Sequence, residues 1–488
     1  MKAIMLMFDT LIKDMLPNYG NEWVYAPNFK RLNEKFHTFD NFYCGSLPCV
    51  PARRDLHTGK YNFLHRNWGP LEPFDFSVIK ELKEQGISTH LITDHWHYGE
   101  MGGFGYHNQF STWELIRGPE GDPLEPIFGN RPSISQHNLN QQGTLVVQHA
   151  YNRQKLIGED TMPITQVFNK ALSFLDKYHG YDQWFLQVEC FSPHEPFIAM
   201  DNYRKLYTDT TDEDILNWPV YQQVSTLISD KQDFVTIQKE YAALLSMCDD
   251  YLGKFLDKLE DLQLWDDTLI IVNTDHGFML GEHNWLGKNV GPQYEEIAHT
   301  PFFLHLPKVE PRRIPQLTQT IDIPATLLDF FSLPMTVEMC GKSLIQVIEK
   351  KIDIHESILY GIHGGHVNYV RLPYVFMKGS ANKENQPLET YTLLPLKGNC
   401  GFEKAELEEA ELVYDVPFAN GFPILKIPKK NHYDSFTQGD LIFDLSKDRQ
   451  QLHPISNEQL QEKLSQELIM KLKENDAPDS LYERLFGK

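Results

Sequence analysis

One cysteine lies in a pattern of residues that suits covalent modification better than a disulfide bond or a zinc site. The pattern is Cys49-Val50-Pro51-Ala52-Arg53, followed by Thr58-Gly59. At average residue usage, this combination at this spacing arises by accident in roughly one chain of this length in ten thousand. We therefore treat Cys49 as a candidate site of modification and nucleophilic chemistry.

The same stretch also predicts a short helix. Pro51 suits the first helical position and Gly59 suits the residue after the last turn, so residues 52–58 are predicted to be helical. Such a helix would place Cys49 at its positive end with Arg53 one turn away, a setting that favours anionic ligands and lowers the pKa of a thiol. An ordinary reactive or buried cysteine is the alternative to a modified one.

Four apolar runs predict buried parallel strands, and each is followed by polar residues capable of chemistry. They are Ala3–Phe8 before Asp9-Thr10, Ser88–Thr93 before Asp94-His95-Trp96-His97, Trp184–Cys190 before Ser192-Pro193-His194, and Leu269–Thr274 before Asp275-His276-Gly277. Ligands of open α/β sheets bind beyond the carboxyl ends of strands, so these segments should converge on one site. The irregular segment 114–162 is predicted to form a wall of that pocket.

Strands and helices alternate along the first two thirds of the chain. Apolar residues at helical spacing over 241–259 precede the fourth strand, and this predicts an α/β fold with a large, mostly parallel sheet flanked by helices over 1–345. Over 346–488 we expect a smaller C-terminal α+β subdomain, ending in an amphipathic helix that Ser456 and Gln459 cap. Its strand-like runs are Val367–Met377, Tyr391–Leu396 and Leu441–Leu445.

The composition is that of an ordinary globular protein with an acidic balance. Of 488 residues, 41% are hydrophobic and 23% charged, the formal net charge is −22, and no apolar run is long enough to cross a bilayer. This charge argues against binding to nucleic acid or an anionic membrane, so an anionic substrate must be captured locally. The basic residues near the motifs are Arg53, Arg54, Lys60, Arg66 and Lys288. The six cysteines form no C-x-x-C pair and the N-terminus lacks a signal-peptide pattern, so we expect a cytoplasmic protein.

The cysteine motif resembles the formylglycine signature of the type I sulfatases, members of the alkaline phosphatase superfamily, in which this cysteine is oxidised to an aldehyde. Three further segments resemble sulfatase segments. They are residues 275–283 with the sulfate-contacting lysine at Lys288, residues 192–196 with His194 at the bridging oxygen, and His95-Trp96-His97, where many relatives have Lys-Trp-His. The resemblance extends from residue 1 to about residue 345.

This resemblance implies a site for one divalent cation. Two carboxylates and an imidazole are ligand types that such ions need, and Asp9, Asp275 and His276 match the family positions. The modified Cys49 would complete the shell. Thr10 stands where relatives carry a second aspartate, so it is kept only as a candidate neighbour of the ion. The carboxylates favour calcium, while the imidazole leaves manganese or zinc open.

The resemblance also implies a mechanism. The hydrated aldehyde at Cys49 offers a hydroxyl of lowered pKa that attacks sulfur. Arg53 and Lys288 would balance the charge on the sulfuryl oxygens, and His194 would protonate the departing alkoxide. His97 matches a family position that contacts sulfate.

Further candidates for substrate binding lie close to these motifs. His95 replaces a family lysine and would attract sulfate as a cation only while protonated, which requires that Asp94 and the anionic substrate raise its pKa. Lys60 and His65 follow the cysteine motif and complete the predicted set.

We interpret the chain as a metal-dependent hydrolase of the formylglycine type. Its expected substrate is the sulfate ester of a sugar or other small alcohol, such as a sulfated carbohydrate, and its expected partner is a formylglycine-generating maturation enzyme. A phosphonate monoester or phosphodiester hydrolase is the alternative, because those relatives share the nucleophile and metal and resemble Pro48–Arg53 followed by His65-Arg66. A third possibility is a non-catalytic protein that binds sulfated ligands and keeps Cys49 as a thiol.

Overall fold

The computed structural model describes residues 1–130, 132–134, 144–209, 216–226, 231–336, 338–430 and 433–487. The strands, in chain order, are β1 Lys2–Phe8, β2 His37–Tyr43, β3 Ser46–Leu47, β4 Ser88–Thr93, β5 Thr112–Leu115, β6 Trp184–Cys190, β7 Gln222–Gln223, β8 Thr268–Asn273, β9 Met279–Leu280, β10 Trp285–Gly287, β11 Phe303–His305, β12 Arg313–Gln319, β13 Ile358–Ile362, β14 Val367–Arg371, β15 Tyr374–Lys378, β16 Glu389–Thr392, β17 Leu396–Lys397, β18 Cys400–Gly401, β19 Glu411–Val413, β20 Ile424–Pro428 and β21 Leu441–Asp444. The α-helices are α1 Pro27–Lys35, α2 Cys49–Thr58, α3 Val78–Glu84, α4 Thr144–Arg153, α5 Pro163–Tyr178, α6 Asp201–Arg204, α7 Lys231–Asp261, α8 Glu295–Ala298, α9 Asp322–Phe330, α10 Leu344–Lys350, α11 Lys404–Glu408, α12 Ser435–Gln438, α13 Glu458–Glu474 and α14 Asp479–Phe486.

The largest sheet has eight strands in the order β12-β2-β11-β8-β1-β6-β4-β5. All its pairs are parallel except those of β11, which runs antiparallel to both neighbours. The four strands predicted from the sequence are adjacent as β8-β1-β6-β4, so their carboxyl ends lie side by side. The predicted α/β fold with a large, mostly parallel sheet is confirmed.

Alternate residues of β1 pack on opposite faces of this sheet, as the two-residue period of a strand requires. Ile4, Leu6 and Phe8 join an apolar cluster that contains residues of α1, α5 and α7. Ala3, Met5 and Met7 join a second cluster with residues of α3, α9 and α10. Because helices cover both faces, β1 is buried along its whole length, which is typical of a parallel sheet.

A second sheet, ordered β21-β15-β14-β13-β3, combines one strand from the N-terminal part of the chain with four from the C-terminal part. Its strand β3 comes from the N-terminal part and pairs in parallel with β13, so that Ser46 lies beside Gly361. Strand β3 leads directly to α2, and the C-terminal sheet therefore supports the segment that carries Cys49. The division of the chain near residue 345 stays a prediction.

Several local predictions differ from the structure. The run predicted at Val367–Met377 is the hairpin β14–β15, with Pro373 in the turn between the strands. The run at Tyr391–Leu396 is divided between β16 and β17, and the segment 114–162, predicted to be irregular, contains helix α4. The cap of α13 is Asn457, whose side chain accepts a hydrogen bond from the backbone N–H of Leu460 (3.0 Å), instead of the predicted Ser456. Within the described ranges, no helix combines the length and the apolar character that a membrane span needs.

Helix α13 stabilises the second sheet through one apolar stripe. Leu464, Leu468 and Leu472 are buried in a cluster with Leu359 and Phe376, which lie on β13 and β15. The predicted stripe is therefore the contact between this helix and the sheet.

We predict that Leu468→Ala lowers the free energy of unfolding by about 2–5 kcal/mol, because it leaves a cavity at a fully buried position. Met470→Ala on the same helix removes a side chain that is 57% exposed and should change this free energy by less than about 0.5 kcal/mol. Urea denaturation of both variants measures the difference. Equal losses would contradict the packing of α13 described above.

Candidate active site

Helix α2 begins at Cys49, three residues before the predicted start. Its first helical hydrogen bond runs from the N–H of Ala52 to the carbonyl of Pro48 (3.0 Å). Pro51 therefore lies in the first turn, where its missing N–H leaves no helical hydrogen bond unmade. Gly59 ends the helix in the left-handed conformation, with φ of 67°, as predicted. Cys49 thus lies at the positive end of a ten-residue helix.

Asp55, which was not predicted as a functional residue, holds the segments before and after this helix in place. Its carboxylate accepts hydrogen bonds from the N–H (2.6 Å) and hydroxyl (2.7 Å) of Ser46 and from the N–H of Asn62 (3.0 Å). A Cβ at Gly45 would lie 2.3 Å from a carboxylate oxygen of Asp55, so this close approach requires glycine. Asp55 therefore ties β3, α2 and the turn after α2 together.

Four buried residues from three separate segments meet at the carboxyl end of the sheet. Asp9 follows β1, Asp275 and His276 follow β8, and Cys49 opens α2. One candidate ligand atom from each residue lies within 4.8 Å of those of the others. The Sγ of Cys49 is 3.2 Å from Nε2 of His276 and 3.8 Å from Oδ1 of Asp9. The structure therefore brings the predicted metal ligands and the cysteine together.

Arg53 balances the negative charge of this group. Its guanidinium donates to Oδ2 of Asp275 (2.7 Å), Oδ2 of Asp9 (3.0 Å) and Oε2 of Glu189 (3.4 Å). Although burial would raise the pKa of Asp9, Arg53 and Lys288 lower it to about 2. Glu189 lies inside β6, a segment predicted from the sequence only as an apolar strand, so its role was not predicted. Arg53 is therefore held by carboxylates at the carboxyl ends of three neighbouring strands.

The thiol of Cys49 is less acidic than its position at the positive helix end predicts. Burial, followed by the charge of Asp9, raises the pKa of this thiol well above its usual range, while Lys288 and Arg53 offset only part of that effect. The positive helix end does not overcome desolvation together with a neighbouring carboxylate. Without modification, Cys49 is a neutral thiol at neutral pH.

Lys288 supplies a positive charge next to the cysteine. Its Nζ lies 3.6 Å from Sγ of Cys49, 3.3 Å from the hydroxyl of Thr10 and 2.5 Å from Nε2 of His194. Burial opposes the charged form, but the negative charge that Cys49 carries when ionised, and those of Glu195, Asp9 and Asp275, raise the pKa of Lys288 above its ordinary value. Lys288 is therefore an ammonium group aimed at the position of the cysteine side chain.

Thr10 orients the carboxylates. Its hydroxyl donates to Oδ1 of Asp9 (2.8 Å) and its backbone N–H donates to Oδ1 of Asp275 (3.1 Å). The residue has a φ of 65°, in the left-handed region, which turns the chain sharply after β1. Thr10 therefore positions the two candidate ligands instead of adding a charged one.

His194 is a neutral imidazole with defined partners for both ring nitrogens. Nδ1 lies 2.5 Å from the backbone carbonyl of Glu195, and Nε2 faces Lys288. Burial and the charge of Lys288 lower the pKa of His194 well below its ordinary value. In this arrangement Nδ1–H donates to the carbonyl and Nε2 accepts from the ammonium of Lys288, so the pair holds a proton next to Cys49.

His95 differs from the expectation of a cationic side chain. It is fully buried, its Nδ1 is 3.6 Å from Oδ2 of Asp9, and neither ring nitrogen has a hydrogen-bond partner among the described residues. Burial and Arg53 lower the pKa of His95 well below 6.5. Asp94 does not offset this, because it accepts a hydrogen bond from the N–H of Phe191 (2.6 Å) and burial raises its own pKa to about 8. His95 is therefore neutral.

His97, two residues later, is the charged histidine. Nδ1 lies 2.8 Å from the carboxylate of Glu100 and Nε2 lies 3.4 Å from that of Glu120. Burial would lower the pKa of His97, but these two carboxylates raise it to about 9. Glu120 belongs to the segment predicted as a pocket wall, and it also accepts a hydrogen bond from the indole of Trp96 (3.1 Å). Both glutamates were missed by the sequence analysis because no motif marks them.

Lys60 and His65 lie outside this group of residues. Helix α2 has ten residues and is about 15 Å long, so it carries the chain away from Cys49 before residue 60 is reached. Both residues line a separate cavity beside Arg54, and the ring of His65 stacks on Phe418 with centroids 4.1 Å apart. Proximity in sequence therefore did not produce proximity in space, and a role for Lys60 and His65 in substrate binding stays a prediction.

The residues fit a divalent cation by the chemistry of their donor atoms. Two carboxylates and an imidazole converge in a buried space, and Thr10 orients the carboxylates by hydrogen bonds. The Nδ1 of His276 lies 2.9 Å from the carbonyl of Gly277, which directs Nε2 toward the group. Burial lowers the pKa of His276, so the imidazole is neutral, as a metal ligand must be.

We predict that His97→Gln lowers the melting temperature by several degrees at pH 6, with a smaller loss at pH 9.5. The pKa of His97 is raised to about 9, so the stabilisation from its proton is complete below about pH 6.5 and is lost as the pH rises through 9. The pKa of Glu120 is lowered from 4.5 to about 2. The stability that this carboxylate contributes is therefore present above pH 4.5 and is lost as the pH falls through 2.

Thermal unfolding at both pH values checks this prediction, with His453→Gln, an exposed histidine, as the matched control. The control should unfold with the parent at both values. A loss of equal size at pH 6 and pH 9.5 would mean that His97 acts only through packing.

The fold of this chain is similar to those of solved protein structures. A phosphonate monoester hydrolase of Agrobacterium radiobacter superposes with a TM-score of 0.65 and 17% identity, over 98% of this chain and 95% of that one. A structure in complex with its substrate D-glucosamine-2-N,6-O-disulfate superposes with a TM-score of 0.67 and 15% identity, over 99% of each chain. At these identities the likeness shows the alkaline-phosphatase-like fold.

Sequence comparison identifies the family. An arylsulfatase of Clostridium perfringens is 24% identical over 398 residues, which cover 74% of this chain and 81% of the relative. The family model described as Sulfatase matches residues 2–333, a range that holds every residue of the group around Cys49. The chain therefore belongs to the sulfatase family and is a sulfuric ester hydrolase.

Proposed function

We propose that the protein hydrolyses the sulfate ester of a sugar or another small alcohol with a formylglycine formed from Cys49 and one divalent cation. The observation that carries this proposal is the buried convergence of Cys49 with Asp9, Asp275, His276 and Lys288. In this group a nucleophile, ligands for a hard cation and an ammonium group lie around one small space. Sulfuryl transfer needs these three elements together.

The acidity of Cys49 supports modification of this residue. A thiol whose pKa is raised by burial and by Asp9 is a poor nucleophile at neutral pH. Oxidation to formylglycine would supply, in its hydrated form, a hydroxyl group at the same position. The position also suits an oxyanion, because Lys288 lies 3.6 Å from the present sulfur atom.

Asp9, Asp275 and His276 would hold the cation, and we propose calcium as the first choice, with manganese and zinc as alternatives. When bound, such an ion lowers the pKa of a coordinated hydroxyl and offsets charge on the sulfuryl group. Arg53 contributes by keeping Asp9 ionised and both carboxylates in place, since it contacts each of them directly.

Lys288 and His194 would together stabilise the charge on the sulfuryl oxygens and provide for protonation of the departing alkoxide. The ammonium of Lys288 would face the sulfuryl oxygens, where a fixed positive charge stabilises the transition state. In its contact with Nε2 of His194 (2.5 Å) the proton lies on Lys288, so Lys288 would give that proton to the departing alkoxide while His194 orients the ammonium group. His97 adds a second cation nearby, with its ring centroid 5.1 Å from that of His95.

A sugar ester is the substrate that the relatives support best. One structural neighbour was solved with a disulfated glucosamine described as its substrate. A phosphonate monoester hydrolase among the neighbours supports the alternative reaction, which would use the same residues. We propose a cytoplasmic location as well, since all six cysteines are unpaired, as a reducing compartment favours.

Cys49 should carry an aldehyde after co-expression with a formylglycine-generating enzyme, and Cys49→Ala should fold but lose turnover of 4-nitrophenyl sulfate. Peptide mass spectrometry and the assay test this on the same preparation. Cys340→Ala, which removes a cysteine beside the opposite end of α2, is the control and should stay active. An unmodified Cys49 in a fully active preparation would contradict the proposal.

Calcium should raise the melting temperature of the metal-free protein, because a ligand that binds only the folded state stabilises it by about 2.7 kcal/mol at a hundredfold excess over Kd. Asp275→Asn should abolish this rise, while Asp261→Asn, an exposed residue at the end of α7, should keep it. Differential scanning calorimetry with calcium, manganese and zinc in turn measures the effect. A parent protein that responds to none of the three ions would exclude the site.

A further inference from the structure

A second cavity, of about 490 Å³, lies between the segment that follows α2 and the C-terminal part of the chain. Its lining includes Arg66, Trp68, Lys397, Phe402, Lys429 and Lys430. Of the thirteen lining residues, four are basic, two are aromatic and two are glutamates, so the lining has an excess of positive charge in a protein whose formal net charge is −22. The proposed mechanism uses none of them.

Trp68 connects this cavity to the active site. Its ring meets the ring of His97 edge-on, with centroids 5.0 Å apart, while the same side chain lines the cavity. The segment that carries His97 is also fastened to the loop between β17 and β18, because the N–H of Gly102 donates to the carbonyl of Gly398 (2.6 Å). A Cβ at Gly102 would lie 2.6 Å from the backbone nitrogen of Gly398, so the contact requires glycine. The cavity and the charged His97 therefore share one wall.

Most of the charged groups in the cavity already have partners. Lys397 donates to both carboxylate oxygens of Glu406, at 2.5 and 2.6 Å. Arg66 pairs with Glu72 and donates to the hydroxyl of Thr392 (2.6 Å). Glu403, which also lines the cavity, donates its backbone N–H to the carboxylate of Glu406 (2.7 Å) at the start of α11. The positive charges of Lys397 and Arg66 are therefore already neutralised, and Glu403 adds one negative charge to the lining.

Lys429 is different, because its ammonium has no ion pair or hydrogen bond in the part of the chain that the structure describes. Burial and the neighbouring Lys397 lower the pKa of Lys429 to about 8, and Glu406, which is bound to Lys397, offsets this only in part. A lysine in this setting lacks a counter-ion, and an anion beside it would restore the charged form. Lys430 adds an exposed positive charge at the rim.

We propose that this cavity binds a second anionic group, a sulfate or a carboxylate, on the saccharide whose sulfate ester is cleaved at Cys49. The inference rests on the proposed function and gives its substrate class, a saccharide with at least two anionic groups. Lys429 would contact the second anion, and the indole of Trp68 would offer an apolar face to the sugar between the two anions. The acidic surface repels such ligands elsewhere, so recognition depends on this local positive charge.

Calorimetric binding to Cys49→Ala protein tests the proposal without turnover. The probes are N-acetylglucosamine 6-O-sulfate, glucosamine 2-N,6-O-disulfate, and a disaccharide of a uronic acid and N-acetylglucosamine 6-O-sulfate. We expect at least one of the two dianionic probes to bind at least tenfold more tightly than the monosulfated one. Whichever dianion is preferred identifies the second group as sulfate or carboxylate.

Adding Lys429→Met should reduce this preference to less than threefold, and Lys429→Arg should restore most of it. Lys404→Met, on the exposed face of α11, is the matched control and should keep the full preference. A parent that binds all three probes equally would overturn the proposal, as would a Lys429→Met variant that keeps the preference or loses affinity for all three probes alike.

The proposed function is tested separately. Turnover of 4-nitrophenyl sulfate by the matured parent protein needs no second anion, so its absence would count against the catalytic proposal alone. The binding measurements on Cys49→Ala protein decide the role of the cavity whichever way that assay ends.

Discussion

The ion-paired group around Arg53 is the interaction on which the rest of the structure depends. The guanidinium of Arg53 contacts Asp9, Asp275 and Glu189, which lie at or just beyond the carboxyl ends of three adjacent strands of the sheet. All four side chains are nearly inaccessible to water, so loss of the arginine would leave buried carboxylates without compensation. The same contacts place Cys49, one turn earlier, against the ends of those strands.

Within the site, some titratable side chains are held neutral and others are held charged. Desolvation keeps His95 and His194 neutral, whereas paired carboxylates keep His97 and Lys288 charged. The site therefore contains fixed cations, a hydrogen bond from the ammonium of Lys288 to the neutral His194, and an Asp9 carboxylate that stays ionised because Arg53 faces it. Such pre-set charges need little reorganisation when charge develops on a substrate, which is how electrostatic catalysis operates.

The sequence predicted those parts of the site that depend on regular structure. Strand β1 pairs in parallel with β6 and with β8, so polar residues that follow these strands had to meet, and Asp9, His194 and Asp275 do. The partners that set acidity were not predictable in this way. Glu120 reaches His97 from an irregular segment, and no periodic pattern reveals such a contact.

The acidity of Cys49 and the cap of α13 were predicted wrongly, because in each case two local physical effects compete and the weaker one was chosen. The helix end predicted a lowered pKa for Cys49, but burial beside Asp9 raises it. Ser456 and Asn457 both suit a helix cap, and the structure uses Asn457. Lys60 and His65 follow the cysteine closely in sequence, yet a rigid helix carries them to another cavity.

The central claim is that this group of residues is built for sulfuryl transfer from a formylglycine. The most direct test is the ratio of kcat/KM for 4-nitrophenyl sulfate to that for 4-nitrophenyl phenylphosphonate, measured on protein shown by mass spectrometry to carry the aldehyde at Cys49. The account predicts a ratio above one. A preference for the phosphonate by more than about tenfold, or about 1.4 kcal/mol in the barrier, would contradict it and identify a phosphonate monoester hydrolase.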